Sequence, residues 1–207
     1  MWSAGGEPLW VLVTRVIGGV AGGRRLAVPA GRGTRPTSDR AREGLFGTVL
    51  AFCGSLDGLR VLDLYAGSGA VGLEALSRGA GHALLVEADA RAARIIRGNI
   101  EAVGLPGADL VTDRVDRVLA RGPGQGRYDL VVADPPYAVP GGEVTGMLAA
   151  LAGGGWLAPG ALVAVERDTR SGAVDWPAGY TPDRSRRYGD TTFWYGLAAG
   201  GCPPGRA

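Results

Sequence analysis

The sequence has few of the residues that form covalent or metal-bound cross-links. Its 207 residues include only two cysteines, Cys53 and Cys202, and one histidine, His82. This scarcity excludes a disulfide scaffold and a cysteine-based zinc site, and it is typical of a reducing compartment. No apolar run approaches the roughly 18 residues of a membrane span, and the first residues lack the basic segment of a secretory signal. We therefore expect a cytoplasmic, globular protein that needs no metal.

Lysine is absent altogether, since all 22 basic residues are arginine. The formal net charge of +2 hides an uneven distribution. Residues 1–42 carry seven arginines and two acidic residues, whereas residues 43–207 carry fifteen arginines and eighteen acidic residues. A basic arm on a mildly acidic body indicates a polyanionic partner such as nucleic acid. The alternative is a solvated, arginine-rich surface that reflects compositional bias.

Strands and helices alternate along the chain from Arg60 onward. Apolar, Val/Leu-rich segments predict strands at 60–65, 82–88, 109–112, 128–133 and 161–167, with helices between them. Strands that lack polar alternation are typical of a parallel sheet covered by helices on both faces. We therefore predict a Rossmann-like, doubly wound α/β fold with a mostly parallel sheet. A terminal β-hairpin follows, whose last strand is predicted at 187–196.

Glycine-rich segments divide the chain into three parts. Residues 9–28 predict two short strands around a glycine-rich turn, so residues 1–36 are interpreted as a basic arm with a β-hairpin appendage. Residues 37–197 form the predicted α/β domain. Residues 198–207, AAGGCPPGRA, are typical of a disordered tail.

A glycine-rich turn follows the first strand of the alternating unit. Gly67, Ser68, Gly69 and Gly72 complete the pattern G-x-G-x-x-G, and Glu87 ends the next strand 20 residues after Gly67. By itself this arrangement is typical of a dinucleotide site, with a pyrophosphate at the helix N-terminus and the acidic residue on a ribose. The alternative is a tight turn with a purely structural role.

Asp63 distinguishes between a dinucleotide and S-adenosylmethionine as the ligand of this turn. It lies at the end of the strand, four residues before Gly67. Its carboxylate would repel a pyrophosphate, because both are anions, but would attract the sulfonium and ammonium groups of S-adenosylmethionine. The pattern Asp63-x-x-x-Gly67-x-Gly69 therefore favours S-adenosylmethionine, whose ribose hydroxyls Glu87 would still bind.

The motif Asp134-Pro135-Pro136-Tyr137 follows a fully apolar strand. Open α/β sheets bind their ligands at the carboxyl ends of such strands. The Asp134 carboxylate and the Pro135 carbonyl offer two acceptors for the N–H groups of an exocyclic base amine. Tyr137 offers a flat face for a base extruded from its stack. We predict methyl transfer to that amine, aided mainly by positioning and without a metal; a rigid Asp-Pro turn is the structural alternative.

These residues resemble class I S-adenosylmethionine-dependent methyltransferases that modify amines, and more narrowly the RsmD family. The narrower resemblance spans about residues 14–196 and rests on RVIGGVAGGRRLAVP (15–29), RPTSDRAREGLF (35–46), DLYAGSGAVGLEALSRGA (63–80), DPPY (134–137) and RRYGDTTFWYG (186–196). The two ends of this pattern distinguish the family from DNA amino-methyltransferases. The resemblance implies the seven-stranded sheet of that class and methylation of a guanine N2 in 16S ribosomal RNA of the small subunit.

The resemblance also implies roles for individual residues. The implied cofactor-binding set is Asp63, Tyr65, Gly67, Ser68, Gly69, Glu87, Ala88, Asp113, Arg114 and Val115. After the third strand, relatives often carry an acidic or amide residue that contacts the adenine, and here Asp113, Arg114 and the Val115 amide are the alternatives. The implied catalytic set is Asp134, Pro135, Pro136 and Tyr137. The predicted RNA-binding set is Arg15, Arg24, Arg25, Arg32 and Arg35.

Other functions stay open at this point. The DPPY motif suits any planar exocyclic amine, so a DNA adenine or cytosine amino-methyltransferase would use the same residues. A dinucleotide-dependent oxidoreductase and a nucleic-acid-binding module without catalysis are further alternatives. Glu166 ends the fifth predicted strand near the same edge, and the sequence assigns it no chemistry. The expected partner is the small ribosomal subunit, and the expected state is a monomer.

Overall fold

The structure is a computed structural model that describes residues 12–29, 39–124 and 126–201. Two of the predicted RNA-binding residues, Arg32 and Arg35, lie outside the described residues. The chain begins with a hairpin in which β1 (Leu12–Arg15) pairs antiparallel with β2 (Arg25–Val28) as a separate two-stranded sheet. This arrangement confirms the predicted N-terminal hairpin.

Seven further strands form the main sheet. They are β3 (Arg60–Leu64), β4 (His82–Glu87), β5 (Ala108–Thr112), β6 (Tyr128–Ala133), β7 (Leu157–Asp168), β8 (Tyr180–Tyr188) and β9 (Thr191–Ala198). Their order across the sheet is β5-β4-β3-β6-β7-β9-β8; the first five are parallel, and β9 runs antiparallel to β7 and β8. The mostly parallel seven-stranded sheet is therefore confirmed. The chain order reverses between β3 and β6, and such a switch point opens a crevice at the strands' carboxyl ends.

Within the described ranges, five α-helices cover the two faces of the sheet. One face packs against α1 (Asp39–Cys53), α2 (Ala70–Ser77) and α3 (Ala90–Val103), and the other packs against α4 (Val115–Ala120) and α5 (Gly141–Gly153). Because both faces are covered, the central strands bury side chains on both sides, which explains their unbroken apolar sequences. No helix in the described ranges is both long and apolar enough to cross a membrane.

The C-terminal hairpin differs from its prediction. The prediction of a last strand at 187–196 is wrong, because Gly189 and Asp190 form the turn and Tyr188 pairs directly with Thr191. Gly189 has a φ of 64°, a left-handed conformation that glycine adopts without steric cost. The predicted tail also begins too early, since Ala198 ends β9 and is buried in the core.

Buried polar contacts fasten the N-terminal hairpin to α2. The carboxylate of Glu74 is fully buried and accepts hydrogen bonds from the N–H groups of Ile17 (2.6 Å) and Gly18 (2.8 Å). The same carboxylate pairs with Arg78 at 2.7 Å and lies 3.8 Å from the Nε of buried Arg42. Breaking such a buried group of charges is costly, so the hairpin is an integral part of the domain despite its separate sheet.

Candidate functional site

A cavity of about 670 Å³ lies at the carboxyl ends of the parallel strands. Twelve of the fourteen residues predicted for cofactor binding and catalysis line it, and the exceptions are Gly69 and Asp113. The twelve are Asp63, Tyr65, Gly67, Ser68, Glu87, Ala88, Arg114, Val115, Asp134, Pro135, Pro136 and Tyr137. The fold therefore brings the glycine-rich turn and the DPPY motif to one site, although they follow different strands.

The glycine-rich turn needs backbone conformations that most side chains resist. Gly67 has a φ of 59° and Gly69 a φ of 76°, both in the left-handed region. A Cβ on Gly69 would lie 2.8 Å from the Cδ2 of Leu85, so this position also lacks space for a side chain. Tyr65 has a φ of 61°, which is uncommon for a residue that is not glycine and marks local strain beside the cavity. Gly69 thus shapes the turn from outside the cavity wall.

Asp63 presents a buried carboxylate to the cavity. One of its oxygens accepts a hydrogen bond from the N–H of Gly72 at 2.9 Å. Burial raises the pKa of Asp63 to about 7, because desolvation disfavours the charged form, and the negative charge of Glu87 adds to the effect. A cationic ligand beside Asp63 would restore its ionised form.

The Glu87 carboxylate accepts hydrogen bonds from the backbone N–H groups of two loops. Its Oε2 accepts a hydrogen bond from the N–H of Gly67 at 2.8 Å, and its Oε1 accepts one from Asp89 at 2.8 Å. These bonds fix the carboxylate at the carboxyl end of β4, on the cavity wall. Each oxygen keeps a second lone pair, so the carboxylate can also accept hydrogen bonds from ligand hydroxyls.

Buried Asn99 on α3 supports the glycine-rich turn, and the sequence analysis did not identify it. Its amide donates to the carbonyls of Ser68 and Ala27, both at 2.8 Å, and its oxygen accepts a hydrogen bond from the N–H of Ala27 at 2.8 Å. One side chain therefore ties the turn, β2 and α3 together. An asparagine within a helix whose apolar residues follow a regular pattern was the available signal.

The segment after β5 contains Asp113, Arg114 and Val115, the three alternatives for the adenine contact. Asp113 accepts hydrogen bonds from the Arg114 N–H (2.8 Å) and from Arg121 (2.6 Å), and these contacts lower its pKa. It does not line the cavity, whereas Arg114, Val115 and Asp116 do. Arg114 pairs with Asp116 at 3.0 Å on the surface. Asp116 is thus the acidic residue here that reaches the cavity, and the sequence analysis did not select it.

The DPPY motif forms a short loop directly after β6. The N–H of Asp134 donates to the carbonyl of Leu64 at 3.2 Å, which ties the loop to β3. Pro135 is buried, and the carbonyl of Pro136 accepts a hydrogen bond from Val139 at 2.8 Å. The side chain of Tyr137 is 44% exposed. Its ring is therefore available for stacking at the mouth of the cavity.

Two further charged residues line the cavity although both are almost fully buried. Glu166, near the end of β7, is 3% exposed, and Arg42 of α1 is 1% exposed. The cavity is acidic as a whole, with seven acidic residues and two arginines in its wall. They are Asp63, Glu87, Asp89, Asp116, Asp134, Glu143, Glu166, Arg42 and Arg114. Such a lining favours a cationic ligand and disfavours a pyrophosphate.

The predicted RNA-binding arginines that the structure describes differ in their surroundings. Arg15, Arg24 and Arg25 are all exposed, and the Nε of Arg15 lies 3.8 Å from the carboxylate of Asp39. Arg24 donates hydrogen bonds to the carbonyls of Val103 and Ala102 (3.2 Å to the latter), at the C-terminus of α3. Arg24 therefore supports the fold, and its side chain is less available to a partner than the other two. Among the described residues, no group of three or more histidine, cysteine, aspartate or glutamate side chains is arranged to hold a metal ion.

The sheet order, the antiparallel terminal hairpin and the two loops at the sheet's carboxyl edge define a class I methyltransferase fold. The solved structure of SMU.776 complexed with SAH has a TM-score of 0.69 and covers 95% of this chain and 58% of that chain. At 15% identity this likeness concerns the fold alone.

The chain belongs to the family described as Conserved hypothetical protein 95, the RsmD family, whose model matches residues 14–196. It is 35% identical to the Ribosomal RNA small subunit methyltransferase D of Escherichia coli strain K12, over 86% of this chain and 87% of that protein. It is 33% identical to the solved structure of yhhF from Escherichia coli, with a TM-score of 0.79 and coverage of 90% of this chain and 98% of that chain. The predicted family is therefore confirmed.

Proposed function

We propose that this protein transfers a methyl group from S-adenosylmethionine to the exocyclic N2 amine of a guanine in 16S ribosomal RNA. The observation that carries the proposal is that Asp63, Glu87 and the DPPY loop line the same acidic cavity. A relative named as a small-subunit ribosomal RNA methyltransferase supports the RNA substrate. The reaction would take place in the cytoplasm, on an assembling or assembled small subunit.

The residues of the cavity fit S-adenosylmethionine better than a dinucleotide. Asp63 is buried with its pKa raised, so a neighbouring cation would stabilise its charged form. Glu87 is fixed where it can accept hydrogen bonds from ribose hydroxyls, and Val115 lines the wall at which the adenine is proposed to lie. When bound, the cofactor supplies a methyl group made electrophilic by its sulfonium.

The DPPY loop would hold the amine that accepts the methyl group. The lone pair of a base amine is delocalised into the ring, so the amine is a poor nucleophile. The Asp134 carboxylate and the Pro135 carbonyl would each accept one N–H and favour localisation of the lone pair. Tyr137, whose ring is exposed, would stack on the extruded base. These residues act by positioning, which can lower the barrier substantially without any metal.

A methylation assay on small subunits that lack the modification tests this proposal. The wild-type protein is incubated with labelled S-adenosylmethionine, and the methylated nucleoside is identified after digestion of the RNA. We expect N2-methylguanosine.

Asp134→Ala should abolish transfer while cofactor binding, measured by calorimetry, persists. Asp175→Ala is the matched control, because Asp175 is exposed and lies outside the cavity wall. Transfer at the wild-type rate in Asp134→Ala would refute the mechanism, and methylated adenine or cytosine would refute the substrate.

The exposed arginines of the hairpin are the proposed RNA contacts. Arg15→Ala combined with Arg25→Ala should weaken RNA binding and reduce the slope of log affinity against log salt by about 1.5, since each lost phosphate contact removes 0.7–0.9. Arg127→Ala is the control, because Arg127 is exposed at the opposite end of β6 from the cavity. An unchanged salt slope in the double variant would exclude the hairpin from the RNA contact.

A further inference from the structure

Glu166 and Asp134 lie near the carboxyl ends of neighbouring parallel strands. In the register of β6 and β7, Ala133 pairs with Val165. Asp134 is the first residue of the loop after β6, and Glu166 is the next residue of β7. Both line the cavity. The residues two positions earlier, Val132 and Ala164, pack in the core on the face covered by α1, α2 and α3. Because side chains alternate along a strand, Glu166 projects on that same face, and Asp134 lines the same cavity from the loop after β6.

Glu166 is held beside the DPPY loop by the C-terminal hairpin. The hydroxyl of Thr191, at the start of β9, donates a hydrogen bond to Oε1 of Glu166 at 3.3 Å. Thr191 also hydrogen-bonds the side chain of Tyr137. Glu166 is 3% exposed, so its carboxyl group lies away from bulk solvent while it lines the cavity. The carboxylate is thus positioned next to the base that Tyr137 and Asp134 are proposed to hold.

Two adjacent carboxylates match the hydrogen-bonding edge of guanine and mismatch those of adenine and cytosine. On its Watson–Crick edge, guanine presents two neighbouring donors, the N2 amine and N1–H. Adenine and cytosine each present an amine beside a ring nitrogen that only accepts. A buried carboxylate opposite that ring nitrogen would leave two acceptors facing each other, which is unfavourable.

We infer that Glu166 determines the base specificity of the site, by accepting a hydrogen bond from guanine N1–H while Asp134 accepts one from the N2 amine. This inference rests on the proposed function and adds a residue that selects the base. It also explains how a DPPY motif, which suits any planar exocyclic amine, can be restricted to guanine. The restriction comes from the neighbouring strand and not from the motif itself.

Replacing the target guanine by 2-aminopurine tests the assignment. Both bases carry the 2-amine, but only guanine carries N1–H. Small subunits are reconstituted with either base at the position that the wild-type protein methylates, and kcat/KM is measured for each. We expect the wild-type protein to prefer guanine by about 100-fold, because a site built for a donor rejects an analogue that lacks it. In Glu166→Gln the preference should fall at least tenfold, since the amide can donate to the N1 lone pair of 2-aminopurine.

Two further variants make the result decisive. Thr191→Val removes the donor that holds Glu166 and should lower the preference by a smaller factor, and it provides the measurement if Glu166→Gln does not fold by circular dichroism. Asp175→Asn neutralises an exposed acidic residue that follows β7 outside the cavity wall, and it should leave the preference unchanged. Loss of activity on both bases by the same factor in Glu166→Gln, or in Thr191→Val if only that variant folds, would overturn the assignment. Failure of the wild-type protein to methylate guanine would instead refute the proposed function.

Discussion

The two halves of the cavity are held in place by different kinds of contact. In the cofactor half (Asp63, the turn 67–69 and Glu87), each carboxylate accepts hydrogen bonds from backbone N–H groups nearby in the chain or on the adjacent strand's loop: Asp63 from Gly72 of α2, and Glu87 from Gly67 and Asp89. In the acceptor half (Asp134, Tyr137 and Glu166), the side chains come from β7 and from the loop between β6 and α5. The hydrogen bond that reaches Glu166 comes from Thr191 of the terminal hairpin.

Cofactor binding and base selection therefore depend on different parts of the chain. The cofactor half is built from one continuous strand–turn–helix unit and the strand beside it, so its geometry is set locally. The acceptor half depends on how β9 and β8 are added to the sheet edge. A change in the terminal hairpin can therefore alter base selection without disturbing the cofactor site. The following variants test whether the two halves act separately.

The largest effect on cofactor affinity is expected for Glu87→Ala. It removes the proposed acceptor for the ribose hydroxyls and the acceptor for the Gly67 N–H, and charge-assisted hydrogen bonds contribute about 1.5–3 kcal/mol each. The dissociation constant for S-adenosylmethionine should rise about 100-fold in calorimetry, while RNA affinity in a filter-binding assay stays unchanged. Glu101→Ala, an exposed acidic residue of α3, is the control. An equal loss of RNA affinity would show that the two halves are coupled.

Tyr137→Ala should affect only the acceptor half. Stacking of a base on an aromatic ring contributes about 1–3 kcal/mol, so RNA affinity should fall roughly 5- to 150-fold. Tyr137→Phe keeps the ring and should stay near the wild-type affinity, which distinguishes stacking from hydrogen bonding. Calorimetry with S-adenosylmethionine should give the same dissociation constant for all three proteins. Loss of RNA affinity in Tyr137→Phe as large as in Tyr137→Ala would argue against stacking.

A moderate and pH-dependent effect is expected from Asp63. Its pKa is raised from 3.8 to about 7 in the ligand-free protein, and a cation favours the ionised form. Cofactor affinity should therefore increase about tenfold between pH 6 and pH 8, with proton release on binding near pH 6. Because the folded pKa lies above the unfolded value, the ligand-free protein should lose stability as the pH rises from about 4 to 7. Asp63→Asn should remove both dependences, and an unchanged pH profile in that variant would contradict the assignment.

The smallest effect is expected for Asp113→Ala. Asp113 pairs with Arg121 and Arg117 outside the cavity, so the affinity for S-adenosylmethionine should change less than about twofold, in line with the small contribution of exposed ion pairs. Asp116→Ala, in the cavity wall, should have the larger effect of the two. Calorimetry on both variants decides which acidic residue after β5 belongs to the cofactor half. The reverse order would restore Asp113 as the adenine contact.

Local patterns predicted most of the fold. The central strands and helices lie close to their predicted places, because unbroken Val/Leu runs and regular helical spacing depend only on neighbouring residues. The hairpin turn at Gly189 and Asp190 was predicted as strand interior, since its flanking residues are strand formers on both sides. The predicted sites at Gly67 and Asp134 share a cavity because both follow parallel strands. Asp113 was a candidate from its position in the chain, but its arginine partners hold it outside the cavity.

Several residues that shape the site carried no clear local signal. Glu74 and Asn99 are polar residues within helices, and their hydrogen bonds to the N-terminal hairpin and the glycine-rich turn join segments far apart in the chain. In the sequence, Arg42 is one of 22 arginines, and only the structure shows that it is buried. Glu166 ends an apolar strand, and its importance depends on which strand lies beside it.

By itself, the sequence determined the class of fold, the family and the two loops at the strand ends. These are properties of short segments, in which a glycine, a proline or an acidic residue acts through its own backbone or charge. Only the tertiary structure decided that Glu166 lies beside Asp134 and that Glu74 fastens the hairpin to α2. Pairing between strands and burial of charge depend on residues that are distant in the chain, so they exist only once the sheet has formed.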